Sequence, residues 1–130
     1  LFRSSDSMEN LYIPKLIIQP VVENAIIHGI SESTENGLLS IQLFAVEKDI
    51  LIKIYNTGPL FSDEVMKKIH GISRTSFSDQ KSIGLMNIQM RLKSQFGNAY
   101  GLLLENMEDQ TSVCVTIRIP QIHSREDMTK

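Results

Sequence analysis

Hydrophobic positions change their period along this chain, and each change marks an element. From Ile13 to Ile30 (IPKLIIQPVVENAIIHGI) they recur at helical spacing. At 100° per residue Ile18, Val21, Val22, Ala25 and Ile26 gather on one side. Gln19 and Glu23 stack one turn apart on the opposite side, and so do Asn24 and His28. Pro14 suits a first helical position and Gly29 a stop, whereas Pro20 is an interior proline that removes a hydrogen bond and kinks a helix. Such a polar arc is either a solvated surface or a row of side chains aimed at a ligand.

Beyond the polar stretch Ser31–Gly37 the period becomes two. Leu38–Val46 and Ile50–Tyr55 read as an antiparallel hairpin, with Ile50, Ile52 and Ile54 on a buried face. Asn56–Leu60 (NTGPL) is a break. Ser62 is placed as the N-cap of a short helix that carries Asp63 and Glu64 in its first turn, runs to about His70 and stops at Gly71. Ile72–Ser82 has no period and is expected to be a mobile loop. Ile83–Phe96 returns to helical spacing, with Leu85, Ile88, Leu92 and Phe96 as its apolar stripe and Gln89, Arg91 and Lys93 away from it. Gly101–Met107 and Ser112–Pro120 form a second pair of strands. Hairpins interleaved with helices predict an α+β fold. It is a two-layer α/β sandwich with a mixed, mostly antiparallel sheet and helices packed on one face.

Composition narrows the function classes. The 130 residues suffice for one domain with a real core. A net charge of −2 supplies no basic footprint for nucleic acid. One cysteine, Cys114, excludes a disulfide framework or a cysteine zinc site within the chain. No apolar run reaches the roughly 18 residues of a membrane span. The chain opens on LFRSSDSMEN rather than Met, as expected of a piece of a longer protein.

Three spaced motifs then fall into line: QPVVENAIIHG, NTGP at a strand end, and SIGLMNIQMRL at the head of a helix. Together they resemble the ATP-binding catalytic domain of sensor histidine kinases, in the LytS-like and YesM-like subgroup. The wider fold is that shared with gyrase and MutL. The resemblance spans roughly Ile13 to Pro120. It implies residues 1–12 as a lead-in from an upstream dimerisation and phosphoacceptor region, 13–120 as the ATP-binding domain, and 121–130 as a polar tail.

The resemblance also assigns roles. Asn24 matches the asparagine whose side-chain oxygen helps hold Mg²⁺ beside the triphosphate, and magnesium favours such hard oxygen ligands. Glu23 is its acidic neighbour, implied to polarise the attacking imidazole or support the metal's water shell. His28 is placed to reach ribose or phosphates, or is a structural histidine. Asn56 stands where the family has an aspartate that accepts a bond from the adenine amino group, and an Asn carbonyl can accept it without the charge. Gly58 allows close approach of main chain to base, while Leu60 replaces the last glycine of that box. Gly84 and Leu85 keep part of the family's Gly-x-Gly-Leu, whose logic is a helix N-terminus offering N–H groups to phosphate. Asn87 and Arg91 match the subgroup's Asn and Arg. Asn87 lies in the first turn of that helix, and Arg91 faces either the ligand or a carboxylate of the fold. Lys81 is a phosphate partner or a solvated charge, and Ile72–Ser82 would be a lid ordered by ATP. Ile27 stands where many relatives of the fold carry a cation.

The implied function is transfer of the ATP γ-phosphoryl group, with ATP and Mg²⁺ as cofactors, to a histidine on an adjoining helical domain for relay to a response regulator. A homodimeric, membrane-anchored bacterial parent and a cytoplasmic position for this domain follow from the same resemblance. The alternative is a degenerate signalling scaffold, supported by Asn56, Leu60 and Ser82. A water-activating ATPase of the gyrase kind is disfavoured because Pro20 occupies the position of its catalytic glutamate. A serine kinase of the anti-sigma-factor type fits QPVVENAIIHG less well.

Overall fold

The structure, a computed structural model, describes residues 2–3, 12–13, 15–28, 37–71 and 80–122, with the side chains at 2, 3, 15, 16, 28 and 80–82 outside that description. Of the expected lid, Ile72–Ser82, residues 72–79 lie outside the described residues, as do most of the lead-in and tail, while residues 80–82 are helical rather than loop.

The chain runs β1 (Phe2–Arg3), α1 (Lys15–His28), β2 (Leu39–Val46), β3 (Asp49–Thr57), α2 (Asp63–Ile69), α3 (Gln80–Phe96), β4 (Gly101–Asn106) and β5 (Ser112–Pro120). The five strands are ordered β1-β2-β3-β5-β4. Only β1–β2 is parallel, with Phe2 opposite Ile41, and the other neighbours are antiparallel. This is the mixed, mostly antiparallel sandwich that the pattern predicts. Ile50, Ile52 and Ile54 are fully buried, as the period of two requires, and meet Leu85, Ile88 and Leu92 from α3 in one core. Ser62 caps α2, its hydroxyl accepting from Val65 N–H at 3.2 Å.

Details of the helices differ from expectation. The buried stripe of α1 is Ile17, Val21 and Ala25, while Ile18 and Val22 are partly buried and Ile26 is 44% exposed. The apolar arc of this helix is wide, and packing on α3 and β3 selects one edge of it. Pro20 lies inside a continuous helix. α3 begins at Gln80, ahead of the expected Ile83, so Asn87 is not in its first turn.

Gln89 is the larger correction. It is 4% exposed, not on the solvent side. Its Oε1 accepts from Leu102 N–H at 2.7 Å, and its Nε2 donates to the carbonyls of Ile69 at 2.9 Å and Leu102 at 3.4 Å. Among the described residues β4 is an edge strand, and the side-chain amide completes its ladder on the open side. One step along, His70 Nε2 accepts from Leu104 N–H at 3.0 Å. Gly101 is bound to this arrangement: its φ is +146°, and a Cβ there would stand 2.3 Å from Gln89 Oε1. Lys93, also expected to point away, donates to the carbonyls of Asn98 and Tyr100 at 3.1 and 3.0 Å.

At this same end of the sheet Asp49 is buried. Its carboxylate accepts from Tyr100 Oη at 2.8 Å and from Arg118 Nε and Nη2 at 2.9 and 2.6 Å. Burial pushes its pKa up, but the hydrogen bonds from Tyr100 and Arg118 and the guanidinium charge outweigh this and hold it below the ordinary value.

Gln89→Leu strips partners from buried main-chain groups at Leu102 and Ile69. It should cost about 2–4 kcal/mol and lower Tm by roughly 10 °C, read by thermal denaturation. His70 titrates below its ordinary 6.5 because burial penalises the imidazolium. Below about pH 6.5 the unfolded chain therefore binds protons that the folded chain resists. The stability His70 contributes should be complete above that pH and fall away as pH drops through its lowered folded value. Denaturant midpoints between pH 7.5 and 5.5 should show this slope, and His70→Leu should flatten it.

Candidate functional site

Three elements bring the three sequence motifs together. α1 presents Glu23 and Asn24, the end of β3 presents Asn56, and the first turns of α3 present Gly84. Asn24 and Asn56 line one small cavity of about 10 Å³ with Val21, Ala25, Phe61, Val113 and Val115. Asn24 Nδ2 lies 3.6 Å from where a Cβ on Gly84 would stand, so the first and third motifs are in contact through a residue without a side chain. Two amides in the lining of an otherwise apolar cleft are a set suited to a flat, partly polar group such as a heterocyclic base. A cavity of this size holds about one water, so a base enters only when a wall moves.

Asn56 is 4% exposed, and its Nδ2 donates to the Thr57 carbonyl at 3.0 Å, leaving Oδ1 as the acceptor. Gly58 follows at φ +145°, a conformation that favours glycine, and its N–H donates to Thr111 carbonyl at 3.0 Å. Glu23 is exposed, and Gln19 Nε2 donates to its Oε1 at 2.9 Å, one turn away.

The remaining candidates divide. Leu85 is fully buried in the core, so its side chain serves packing. Asn87 and Arg91 are exposed one turn apart on α3, and Arg91 has no ion pair among the described residues. The side chains of His28 and Lys81 lie outside the described residues. Because α3 starts at Gln80, its free N–H groups fall ahead of Gly84, which sits inside the helix rather than at its tip. A larger groove of about 300 Å³ is lined by Leu51, Lys53, Thr116 and Arg118 of the sheet and by Lys93 of α3, and it contains no residue of the three motifs.

Phe61, Val113 and Val115 are cavity residues that the motifs do not contain. Phe61 had a signal, an aromatic directly between the Gly58-Pro59 break and the Ser62 cap. The two valines are placed only by topology, through the pairing of β5 with β3.

The fold is that of histidine kinase catalytic domains. The nucleotide-free catalytic domain of ThkA superposes with a TM-score of 0.61 at 21% identity, over 82% of this chain and 69% of that one. In sequence the chain resembles sensor histidine kinases of the YesM and LytS kind. Sensor histidine kinase YpdA of Escherichia coli K12 is 30% identical over 112 residues, covering 86% of this chain and 19% of that protein. YesM of Bacillus subtilis is 28% identical over 113 residues (86% and 18%), and LytS of Oceanobacillus iheyensis 31% over 110 residues (83% and 19%). The chain thus spans under a fifth of the length of these curated relatives. No family profile matches it.

Gly84→Ala adds a Cβ at ordinary contact distance from Asn24 and removes a helix-interior glycine. It should gain about 0.5–1 kcal/mol, raising Tm by a few degrees in a circular-dichroism melt. Gly84→Leu should lower Tm instead, because its longer side chain displaces Asn24.

Proposed function

We propose that this chain is the ATP-binding catalytic domain of a two-component sensor histidine kinase. It would transfer the γ-phosphoryl group to a histidine on a helical domain upstream in a longer, dimeric, membrane-anchored protein, for relay to a response regulator, from the cytoplasmic side. The observation that carries this is the meeting of Asn24 with Asn56 in one cleft and with Gly84 beside it. One of the structural neighbours is a complex of ThkA with the response regulator TrrA, which accords with such a partner.

The chain's own residues divide the work. Asn56 Oδ1 accepts from the amino group of the base, whose faces are enclosed by Val21, Ala25, Phe61 and the β5 valines. Gly84 lets the phosphate chain pass close to α3, and Asn87 and Arg91 lie along its exposed side. Lys81 and His28 belong to the same reading by their place in the chain, at the head of α3 and the end of α1. Glu23, steadied by Gln19, is an exposed carboxylate able to take the proton of an attacking imidazole.

The donor set fits magnesium held chiefly by phosphates and water. Asn24 supplies an amide oxygen, Glu23 stands beside it, and among the described residues no cluster of His, Cys, Asp or Glu could cage a metal unaided. When bound, the ion neutralises charge on the transferring phosphoryl group. Positioning is what this chain contributes. The scaffold reading keeps one specific observation in its favour, the small size of the cleft beside Asn56.

Calorimetric titration with ATP should give saturable binding that weakens at least about ten-fold without Mg²⁺, and by a similar factor in Asn24→Ala. Absence of binding at millimolar ATP would leave the scaffold.

A further inference from the structure

We propose that Asn106 is a positioning residue for the base end of this cleft, acting through the main chain of Phe61; the inference rests on the nucleotide reading above. Asn106 closes β4, the outer strand of the sheet, and does not line the cavity. Its Oδ1 accepts from Phe61 N–H at 2.8 Å, and its Nδ2 donates to Phe61 carbonyl at 2.8 Å. The same Nδ2 lies 3.8 Å from Met66 Sδ on α2. One side-chain amide thereby holds both main-chain polar groups of a residue 45 positions away, as a strand partner would.

What it holds matters for the cleft. The other lining residues sit in α1, β3 and β5, whereas Phe61 belongs to the irregular segment between β3 and α2. Phe61 is therefore the wall that lies outside a helix or strand. A base larger than the present cavity of about 10 Å³ must displace part of that wall. With the Phe61 main chain fixed at both groups, the ring turns aside about its own side-chain bonds and the segment keeps its place. Without the clamp the segment itself must be ordered on binding, which costs affinity. Among the described residues the side-chain bonds of Asn106 go to Phe61 and Met66, so its influence is on the base end and independent of magnesium.

The test compares adenosine, ADP and ATP, each with and without Mg²⁺, on the whole chain and on Asn106→Ala. All three ligands should weaken by the same factor, about ten-fold, with the magnesium-dependent part of ATP binding unchanged. Asn106→Asp, which keeps the acceptor for Phe61 N–H but sets a second acceptor against its carbonyl, should weaken all three ligands at least as much, and it carries the test if the alanine variant does not fold. Tyr100→Phe is the stability control: it loses the bond to Asp49 at the far end of the sheet and should lower Tm without changing any affinity. Equal affinities in wild type and both Asn106 variants, or a loss seen only for ATP with magnesium, would overturn the assignment. An unmodified chain that binds none of the three ligands overturns the nucleotide reading and this inference with it, a result distinct from either of those.

Discussion

An edge strand must satisfy its outward main-chain groups or leave them to water or to another chain, and the arrangement of this molecule around β4 follows from that requirement. The groups of Leu102 are met by Gln89 from α3, and the N–H of Leu104 by His70 from the end of α2. At the last residue of the strand the direction reverses, since Asn106 reaches out and holds Phe61. The helical layer is thus attached to the sheet through directional polar bonds at its rim as well as through apolar contact over its face. Gln89 also reaches Ile69 carbonyl, so one amide joins both helices that flank residues 72–79 to the same strand.

The face and the rim serve different ends. Apolar packing of Leu85, Ile88 and Leu92 on the isoleucines of β3 supplies the non-directional part of stability. It does not by itself fix where α2 ends or where α3 lies along the sheet. The amide and imidazole bonds do, because each has one geometry that satisfies it. Of the walls of the cleft between Asn24 and Asn56, Phe61 is the one held in this way, which links the distant Asn106 to the shape of the candidate site.

Much of this was legible in the chain. Alternation in ILIKIY gave the buried face of β3, Ser62 with Asp63 and Glu64 gave the start of α2, and the three motifs gave the kinship and the residues that converge. The errors have physical causes. On α1 the residues Ile17, Ile18, Val21, Val22, Ala25 and Ile26 form one broad apolar arc, and only the neighbours decide that Ile17 is buried and Ile26 exposed. Gln89 lies four positions after Leu85 and three before Leu92, inside the buried period. Its polarity argued for solvent because its partner is a strand edge that exists only once the topology is known. The start of α3 was missed because Gln80, Lys81 and Ser82 carry no apolar signal of their own. Phe61 and Asn106 are 45 residues apart, and nothing local in either stretch announces the other.

The pairing of β3 with β5 has a consequence for how the chain acquires its shape. Asp49 faces Pro120 and Thr57 faces Ser112 across the middle of the sheet, with both later helices threaded between them in sequence. The central ladder therefore closes only after the chain through residue 120 is available, and the Asp49–Arg118 bond locks the longest of these loops. A nascent chain shorter than that owns a β2–β3 hairpin with one bare edge and no finished core. Folding is consequently a late, collective event on the ribosome, slower than for a bundle of local contacts, and the unfinished hairpin is the species most exposed to chaperones and to misassembly.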